Sequence, residues 1–332
     1  MIDYVRLLIR DAGLSKYLLS GIDTLFDTHS TTATTTAGRE TINVDAMYNG
    51  LRFKITESGV VIIDGSFHKT MNKGIHNYNN FSYGSLLRVV ADLCTRFSID
   101  PHRTIVQNVE IGVNVNSPFD PQEFTDRCAF LFSGAGVTRP SPIIKGDSKG
   151  FDKGIRFNLS EYAIKIYNKG AQYNQQQNIL RIEYKSLKSR AIEKAGIKTL
   201  YDLCSISKLN TLVNDYLLDR FNCILVDEIV DAADLNNREQ GHYFKRLDYV
   251  SWRDTKGKQR VRNKDYIKQI YHKHSQSDFK TIVGGLIESK SQELLTLTME
   301  CVALLTAIKN TKCPQSHLSY NRWDHGQFAL AA

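Results

Sequence analysis

The sequence predicts an α+β protein: a central antiparallel sheet with helices on one face, followed by a helical, basic C-terminal domain. Three observations carry that prediction. The N-terminal half contains short stretches that alternate apolar and polar with a period of two, as half-buried strands do. Short turns such as Glu57-Ser58-Gly59 and Gln175-Gln176-Gln177-Asn178 join neighbouring stretches, which favours antiparallel pairing. Beyond Leu187 the apolar spacing becomes helical (Leu200, Leu203, Leu209, Leu212, Leu217, Leu218, Phe221, Leu225). The expected division is 1–190 for the sheet domain and 191–332 for the helical one.

The elements follow in order. Residues 1–9 alternate as a strand, and residues 15–26 read as a short helix with Leu18, Leu19, Ile22 and Leu25 inward. The polar, threonine-rich run 28–38 reads as a loop. Leu51-Arg52-Phe53-Lys54-Ile55 and the apolar run 60–66 form a hairpin. A loop rich in Asn, Lys and His covers 68–81, and Ser82 caps a helix whose core face is Leu86, Leu87, Val90, Leu93 and Phe97. Residues 104–115 form a strand with Ile105, Val109, Ile111, Val113 and Val115 on one face and Asn108, Glu110, Gly112 and Asn114 on the other. Residues 121–132 read as a helix opened by Pro121, followed by a loop through 145–150. Residues 155–159 open a hairpin that ends in the strand 162–170, and residues 179–185 form the next strand. Residues 282–308 read as one helix, and the tail from Cys313 is weakly patterned.

Composition bounds the function. A chain of 332 residues, 42% hydrophobic and 23% charged, folds into one large domain or two ordinary ones. Its net charge of +8 suits an anionic partner, nucleic acid first and an acidic membrane second. The six cysteines lack C-x-x-C spacing, which excludes a zinc ribbon or dithiol redox motif and fits buried thiols in a reducing cytoplasm. Asp3 and Arg6 interrupt the first apolar stretch, so no signal peptide is expected, and no apolar run reaches membrane-spanning length.

The chemistry concentrates on the strand 162–170. Ile164 and Ile166 point one way, while Lys165, Tyr167 and Lys169 point the other. A phenol between two cations is expected to ionise more easily than in water, and the cations suit a phosphate. Tyr167 is therefore a candidate nucleophile toward a DNA phosphodiester; the plain alternative is an exposed tyrosine among solvating lysines. Arg181, Glu183 and Lys185 share one face of the adjoining strand, which brings Glu183 toward the phenol. From Gly241 to Lys273, bases that include Arg253, Lys258, Arg260 and Arg262 alternate with Tyr243, Phe244, Tyr249, Trp252, Tyr266 and Tyr271. That interleave suits phosphate contact with base stacking, or else a solvated helical face.

Taken in order, these segments resemble the filamentous-phage gene II replication proteins and related plasmid rolling-circle initiators. Tyr48-Asn49-Gly50-Leu51-Arg52-Phe53-Lys54-Ile55 resembles a strand of that family, and Ser66, Lys69, Gly74 and His76-Asn77 resemble its serine–lysine–glycine–histidine–asparagine element, with Ile75 extra. Glu110 and Asn114 fall where the wider group has two aspartates; Ile166-Tyr167-Asn168-Lys169 resembles the nucleophile strand, and Leu180-Arg181-Ile182-Glu183 a following strand. Gln172 stands where several plasmid initiators carry a glutamate, and the adjacent histidine pair of the best-known nicking enzymes is missing. The resemblance covers roughly residues 1–205.

It implies an HUH-like Rep nuclease fold and a DNA nickase: Tyr167 attacks an origin phosphodiester, leaving a 5′-phosphotyrosine and a free 3′-hydroxyl primer, and later rejoins the strand. Mg²⁺ or Mn²⁺ would polarise the phosphoryl oxygens, held by Glu110, Glu183, His76 and Asn114. Lys169 and Lys165 would stabilise the transition state. Lys69 is a candidate phosphate contact; Arg181 either contacts DNA or orients Glu183. The implied partners are single-stranded or extruded origin DNA, a host helicase and polymerase, and a second copy of the chain for strand closure, unless Tyr162 or Tyr173 serves there; no membrane is implied. A conjugative relaxase, a non-catalytic DNA-binding regulator and a water-using metal hydrolase are the competing readings.

Overall fold

The computed structural model describes residues 1–36, 39–134, 136–143 and 154–311. The expected loop 145–150 and the tail from Cys313 lie outside these residues. In chain order the strands are Ile2–Arg10 (β1), Thr28–Thr36 (β2), Arg39–Tyr48 (β3), Leu51–Thr56 (β4), Val60–Ser66 (β5), Ile105–Asn116 (β6), Cys128–Ser133 (β7), Gly136–Thr138 (β8), Ser141–Pro142 (β9), Gly154–Asn158 (β10), Tyr162–Asn168 (β11), Ile179–Ser186 (β12) and Ile224–Val226 (β13). Ten of them form one sheet in the order β2-β3-β4-β5-β1-β6-β12-β11-β10-β9, with antiparallel neighbours. The first and last thirds of the sheet thus meet at β1, β6 and β12, in its middle.

Period-two alternation divides the sheet. Val5, Leu7, Phe53, Ile63, Val113 and Ile182 are buried on one face, while Tyr4, Arg6, Lys54, Asp64, Asn108 and Lys185 stay partly open on the other. Helices cover the apolar face. Ala12–Ser20 (α1), capped by the Asp11 side chain, and Ile22–Leu25 (α2) split at Gly21 the single helix expected over 15–26. Phe67–Met71 (α3) starts the expected loop 68–81 with a helical turn. Tyr83–Phe97 (α4) is capped by Ser82 and buries Leu86, Leu87, Val90, Leu93 and Phe97, each contributing about 2 kcal/mol. Pro121–Arg127 (α5) precedes β7, and Lys169–Gln172 (α6) turns the chain from β11 toward β12.

After Ser189–Glu193 (α7), Ile206–Thr211 (α8) leads through a π-helical stretch, Leu212–Leu218, into Asp219–Asn222 (α9). Asn237–Lys245 (α10), Tyr249–Asp254 (α11) and Gly257–His274 (α12) form the basic helical region. Phe130, Phe132, Leu225, Trp252, Ile267 and Ile270 give it its own core, built against the small sheet β13-β7-β8. Phe279–Leu294 (α13) and Met299–Lys309 (α14) return to the main core through Val283, Ile287, Cys301 and Ile308. No single helix among the described residues is long and apolar enough to cross a membrane.

Four further expectations change, each for a physical reason. The run 28–36 is strand β2, because β-branched threonines suit a pleated edge and pair with β3. Residues 128–133 are strand β7 rather than helix. Both faces of β7 are buried, Cys128 and Leu131 in one core and Phe130 and Phe132 in the other, so no alternation marks it. In β6 a register irregularity lies opposite Arg6 and Leu7; it turns Val106 inward and leaves Ile105 47% exposed. The single helix over 282–308 is α13 and α14, bent by 67°, with Thr298 capping the second.

Candidate active site

Three adjacent strands place the polar residues in a grid on the open face. Tyr167 lies opposite Arg181, and Arg181 opposite Asn114. One row along, Lys165 lies opposite Glu183, and Glu183 opposite Gly112. In the next row Lys185 lies opposite Glu110. Gly112 is the gap that Glu183 fills: a Cβ there would stand 2.6 Å from the Ile182 carbonyl oxygen and 2.9 Å from Glu183 Cγ.

Tyr167 Oη donates to Glu183 Oε1 at 2.9 Å and accepts from Lys169 Nζ at 3.3 Å. Lys165 Nζ bridges the two carboxylates, at 3.2 Å from Glu110 Oε2 and 3.3 Å from Glu183 Oε2. Lys185 pairs with Glu110 Oε1, and Arg181 Nε with Glu183 Oε1. Every oxygen of Glu110 and Glu183 thus faces at least one cation.

Arg181 is buried and its guanidinium is fully engaged. Beyond Glu183 it donates to Asn114 Oδ1 at 2.7 Å and to Asp3 Oδ2 at 2.8 Å. It orients Glu183; burial removes it from DNA contact, which corrects one of its two expected roles. Asp3 also accepts from Ser66 Oγ and from Asn77 Nδ2. Asn114 Nδ2 donates to the backbone oxygens of Asn77, Tyr78 and Asn79, at 3.2, 2.9 and 3.2 Å, and so clamps the loop that follows α3 over the site.

Burial and charge set the proton affinities. Burial, reinforced by the Glu183 carboxylate, raises the Tyr167 phenol well above its ordinary value of 10. The expectation that flanking cations ease its ionisation is therefore corrected: the desolvation outweighs them and the nearest ionised partner is an acid. Burial works against ionised Glu183, yet Arg181, Lys165 and Lys169 together hold its carboxyl well below the usual range. Lys169 is brought down to about 7 by burial and then by Arg181, with Lys69 adding to the effect. For Lys165 burial pulls downward, and Glu183 and Glu110 outweigh it, so its ammonium is raised.

The four candidate metal ligands do not fit a divalent ion in this arrangement. Glu110 and Glu183 are neutralised by lysine and arginine, and Asn114 is spent on backbone oxygens and Arg181. His76 stacks on Tyr78 with ring centres 4.2 Å apart, and its Nδ1 is buried without a hydrogen-bond partner. Among the described residues no group of three or more His, Cys, Asp or Glu is arranged to hold a metal. A divalent ion 4 Å from one ammonium would meet about 8 kcal/mol of repulsion at an effective dielectric of ~20.

Lys69 is half-exposed beside this grid. Arg253, Lys258, Arg260 and Arg262 lie on α11 and α12 and their contacts stay local: Arg253 pairs with Asp254, and Arg260 donates to the Thr255 and Arg253 backbone oxygens. Lys258 and Arg262 are exposed. Tyr243, Trp252 and Tyr271 are core residues, so the expected stacking interleave shrinks to Phe244 and the half-buried Tyr249 and Tyr266. Tyr173 donates to Asn77 Oδ1 at 2.8 Å and shares Lys169 with Tyr167, whose Nζ lies 5.2 and 5.3 Å from their ring centres. Tyr162 stacks on Tyr184, away from Lys169.

Two residues at the site escaped the sequence reading. Asp3 was visible as a lone acid in an apolar strand, and Lys185 as the third charge on its strand face. No protein-family model matches the chain, and no curated protein matches it. Among solved structures it is similar to the rolling circle replication initiator protein from Geobacillus stearothermophilus, with 9% identity and a TM-score of 0.34 over 87% of this chain and 96% of the other. A likeness at that score assigns no function to the chain.

Proposed function

We propose that the protein is a DNA strand transferase of the rolling-circle initiator type, with Tyr167 as nucleophile. The observation that carries the reading is the phenol's position: its Oη lies between a carboxylate acceptor at 2.9 Å and an ammonium donor at 3.3 Å, on the polar face of the sheet, where the residue is half-buried. The ordered motifs that resemble those of the initiators support it from the sequence side.

In this reading Tyr167 enters as a protonated phenol. The Oη–P bond forms as the P–O3′ bond breaks. The phenolic proton passes to Glu183 only as the phosphoryl group takes over the oxygen's charge, because Glu183 is too weak a base to remove it beforehand. The departing 3′ oxygen takes up one proton from solvent and leaves as a hydroxyl, and Glu183 releases the phenolic proton to solvent, so the proton count is unchanged. Lys169 and Lys165 face the charge that develops on the non-bridging oxygens. The phosphotyrosine conserves the energy of the phosphodiester, and the reverse reaction rejoins the strand.

The 5′-phosphate stays on the enzyme, so a 3′-labelled single-stranded oligonucleotide reports the adduct. Oligonucleotides tiling the DNA beside the coding sequence, and a randomised pool, are incubated with the protein and run on a denaturing gel. A labelled band at the protein's mass, absent in Tyr167→Phe, is expected. Cleavage without such a band would favour the water-using hydrolase. Binding without cleavage would favour the regulator.

A further inference from the structure

We propose that Lys165 takes the place that the resemblance gives to a divalent ion, and that strand transfer at Tyr167 runs without one. The inference rests on the strand-transfer reading for its chemistry, but its structural half stands alone. Glu110 and Glu183 project from neighbouring strands onto one spot of the sheet face, as two metal-holding carboxylates would. The Lys165 ammonium occupies that spot, 3.2 Å from one carboxylate and 3.3 Å from the other.

The other oxygen of each carboxylate is also engaged. Lys185 holds the second oxygen of Glu110, and Arg181 and the Tyr167 phenol hold that of Glu183. Below about pH 7, where Lys169 holds its proton, Lys165, Lys169, Lys185 and Arg181 bring four positive charges against three carboxylates, those of Asp3, Glu110 and Glu183. A scissile phosphate carries one negative charge and closes that balance; a divalent ion would open it further. Lys165 is suited to meet the phosphate: its side chain is 20% exposed against 2% for Arg181, it neighbours Tyr167 on the same strand, and it is shared by both carboxylates, whereas Lys185, 27% exposed, pairs with Glu110 alone.

An ammonium can supply what the ion would supply here: charge against the non-bridging oxygens and hydrogen bonds aimed at them. The chemistry needs nothing more. The phenol provides the nucleophile without a metal-bound hydroxide, its proton goes to Glu183, and the leaving oxygen regains one. No oxidant or second reactant is required.

Adduct formation on the same oligonucleotides is measured in excess EDTA and in Mn²⁺, and Mn²⁺ binding to the DNA-free protein is measured by electron paramagnetic resonance. Wild-type protein is expected to form the adduct equally in both and to leave Mn²⁺ free. Lys165→Ala uncovers the two carboxylates. It should bind Mn²⁺, lose adduct formation by at least ~100-fold in EDTA, and recover part of it in Mn²⁺. An adduct that wild-type protein forms only in Mn²⁺ overturns the inference while leaving the strand-transfer reading intact. If no adduct forms under any condition, that reading fails and the binding arm still decides: Mn²⁺ bound at the wild-type carboxylates, displaced on Glu110→Gln, overturns the inference, and Mn²⁺ left free supports it. Lys165→Met, of similar length, replaces Lys165→Ala should the latter not fold.

Discussion

Lys169 carries a stability cost and, in the proposed strand transfer, a catalytic demand. It is 1% exposed and its ammonium is held down to about 7 against an unfolded value near ~10.5. The folded protein thus binds this proton more weakly than the unfolded chain. The cost is fully present below about 7 and fades as pH rises toward ~10.5, so stability climbs across that window. Lys169→Met should stabilise the protein at pH 6 by on the order of 3 kcal/mol, and by little near pH 10. Chemical denaturation at the two pH values tests this; equal destabilisation at both would contradict it. Catalysis runs the other way, since it needs the ammonium. The adduct-forming kcat/KM should fall as pH rises through about 7, and Lys169→Arg should push that fall out of range. A rise through the same window would instead make Lys169 a base. Asn114→Asp tests the clamp: it exchanges the three donated loop bonds for a carboxylate facing carbonyl oxygens, at a cost of about 1–3 kcal/mol, with no gain in Mn²⁺ binding. What the sequence displayed at this scale was the set of residue types: Tyr167, Glu110 and Glu183 sit on polar strand faces. What it hid was pairing. Whether Lys165 meets a phosphate or two carboxylates depends on the register of three strands, and whether Tyr167 ionises depends on burial.

At the scale of elements, β6 and β12 set the distances within the site, and Gly112 lets them. Gly112→Ala places a methyl against the Ile182 carbonyl and the Glu183 side chain, so β12 must shift. A displacement of that kind should lower adduct formation by ~100-fold while thermal stability drops by far less than activity, measured side by side. A large loss of fold with proportionate loss of activity would mean that Gly112 serves the sheet alone. Alternation made β1, β4 and β11 legible, because each has one face more buried than the other, and β12 because its two buried faces differ in polarity. It failed for β7, buried on both faces, and for the start of β6, where the irregularity at Gln107 inverts the faces. The hairpin β3–β4 carried its own signal. Asn49 and Gly50 have φ of 47° and 82°, the left-handed pair that an Asn-Gly two-residue turn supplies.

At the scale of the molecule, the basic surplus and the polar grid around Tyr167 belong to different parts. The grid pairs its carboxylates with its own cations within the large sheet, whereas Lys258 and Arg262 stand exposed on α12, over a separate core. If that region tracks a DNA backbone, Lys258→Gln with Arg262→Gln should reduce the slope of log K against log salt by about 1.4 on single strands and leave the rate of adduct formation at saturating DNA unchanged. An unaltered slope would return α12 to a solvated face. The broad architecture was legible from composition and periodicity, since a large antiparallel sheet and a helical C-terminal region follow from which half alternates. The second core was not, because its aromatic residues lie among lysines and arginines and read as a binding surface. The central claim is that Tyr167 Oη becomes bonded to DNA phosphorus. Protein trapped with an oligonucleotide, digested with nuclease and protease and sequenced by tandem mass spectrometry, should carry its nucleotide remnant on Tyr167. A remnant on Tyr173 or another residue, or a cleaved oligonucleotide with no remnant on the protein, would contradict it.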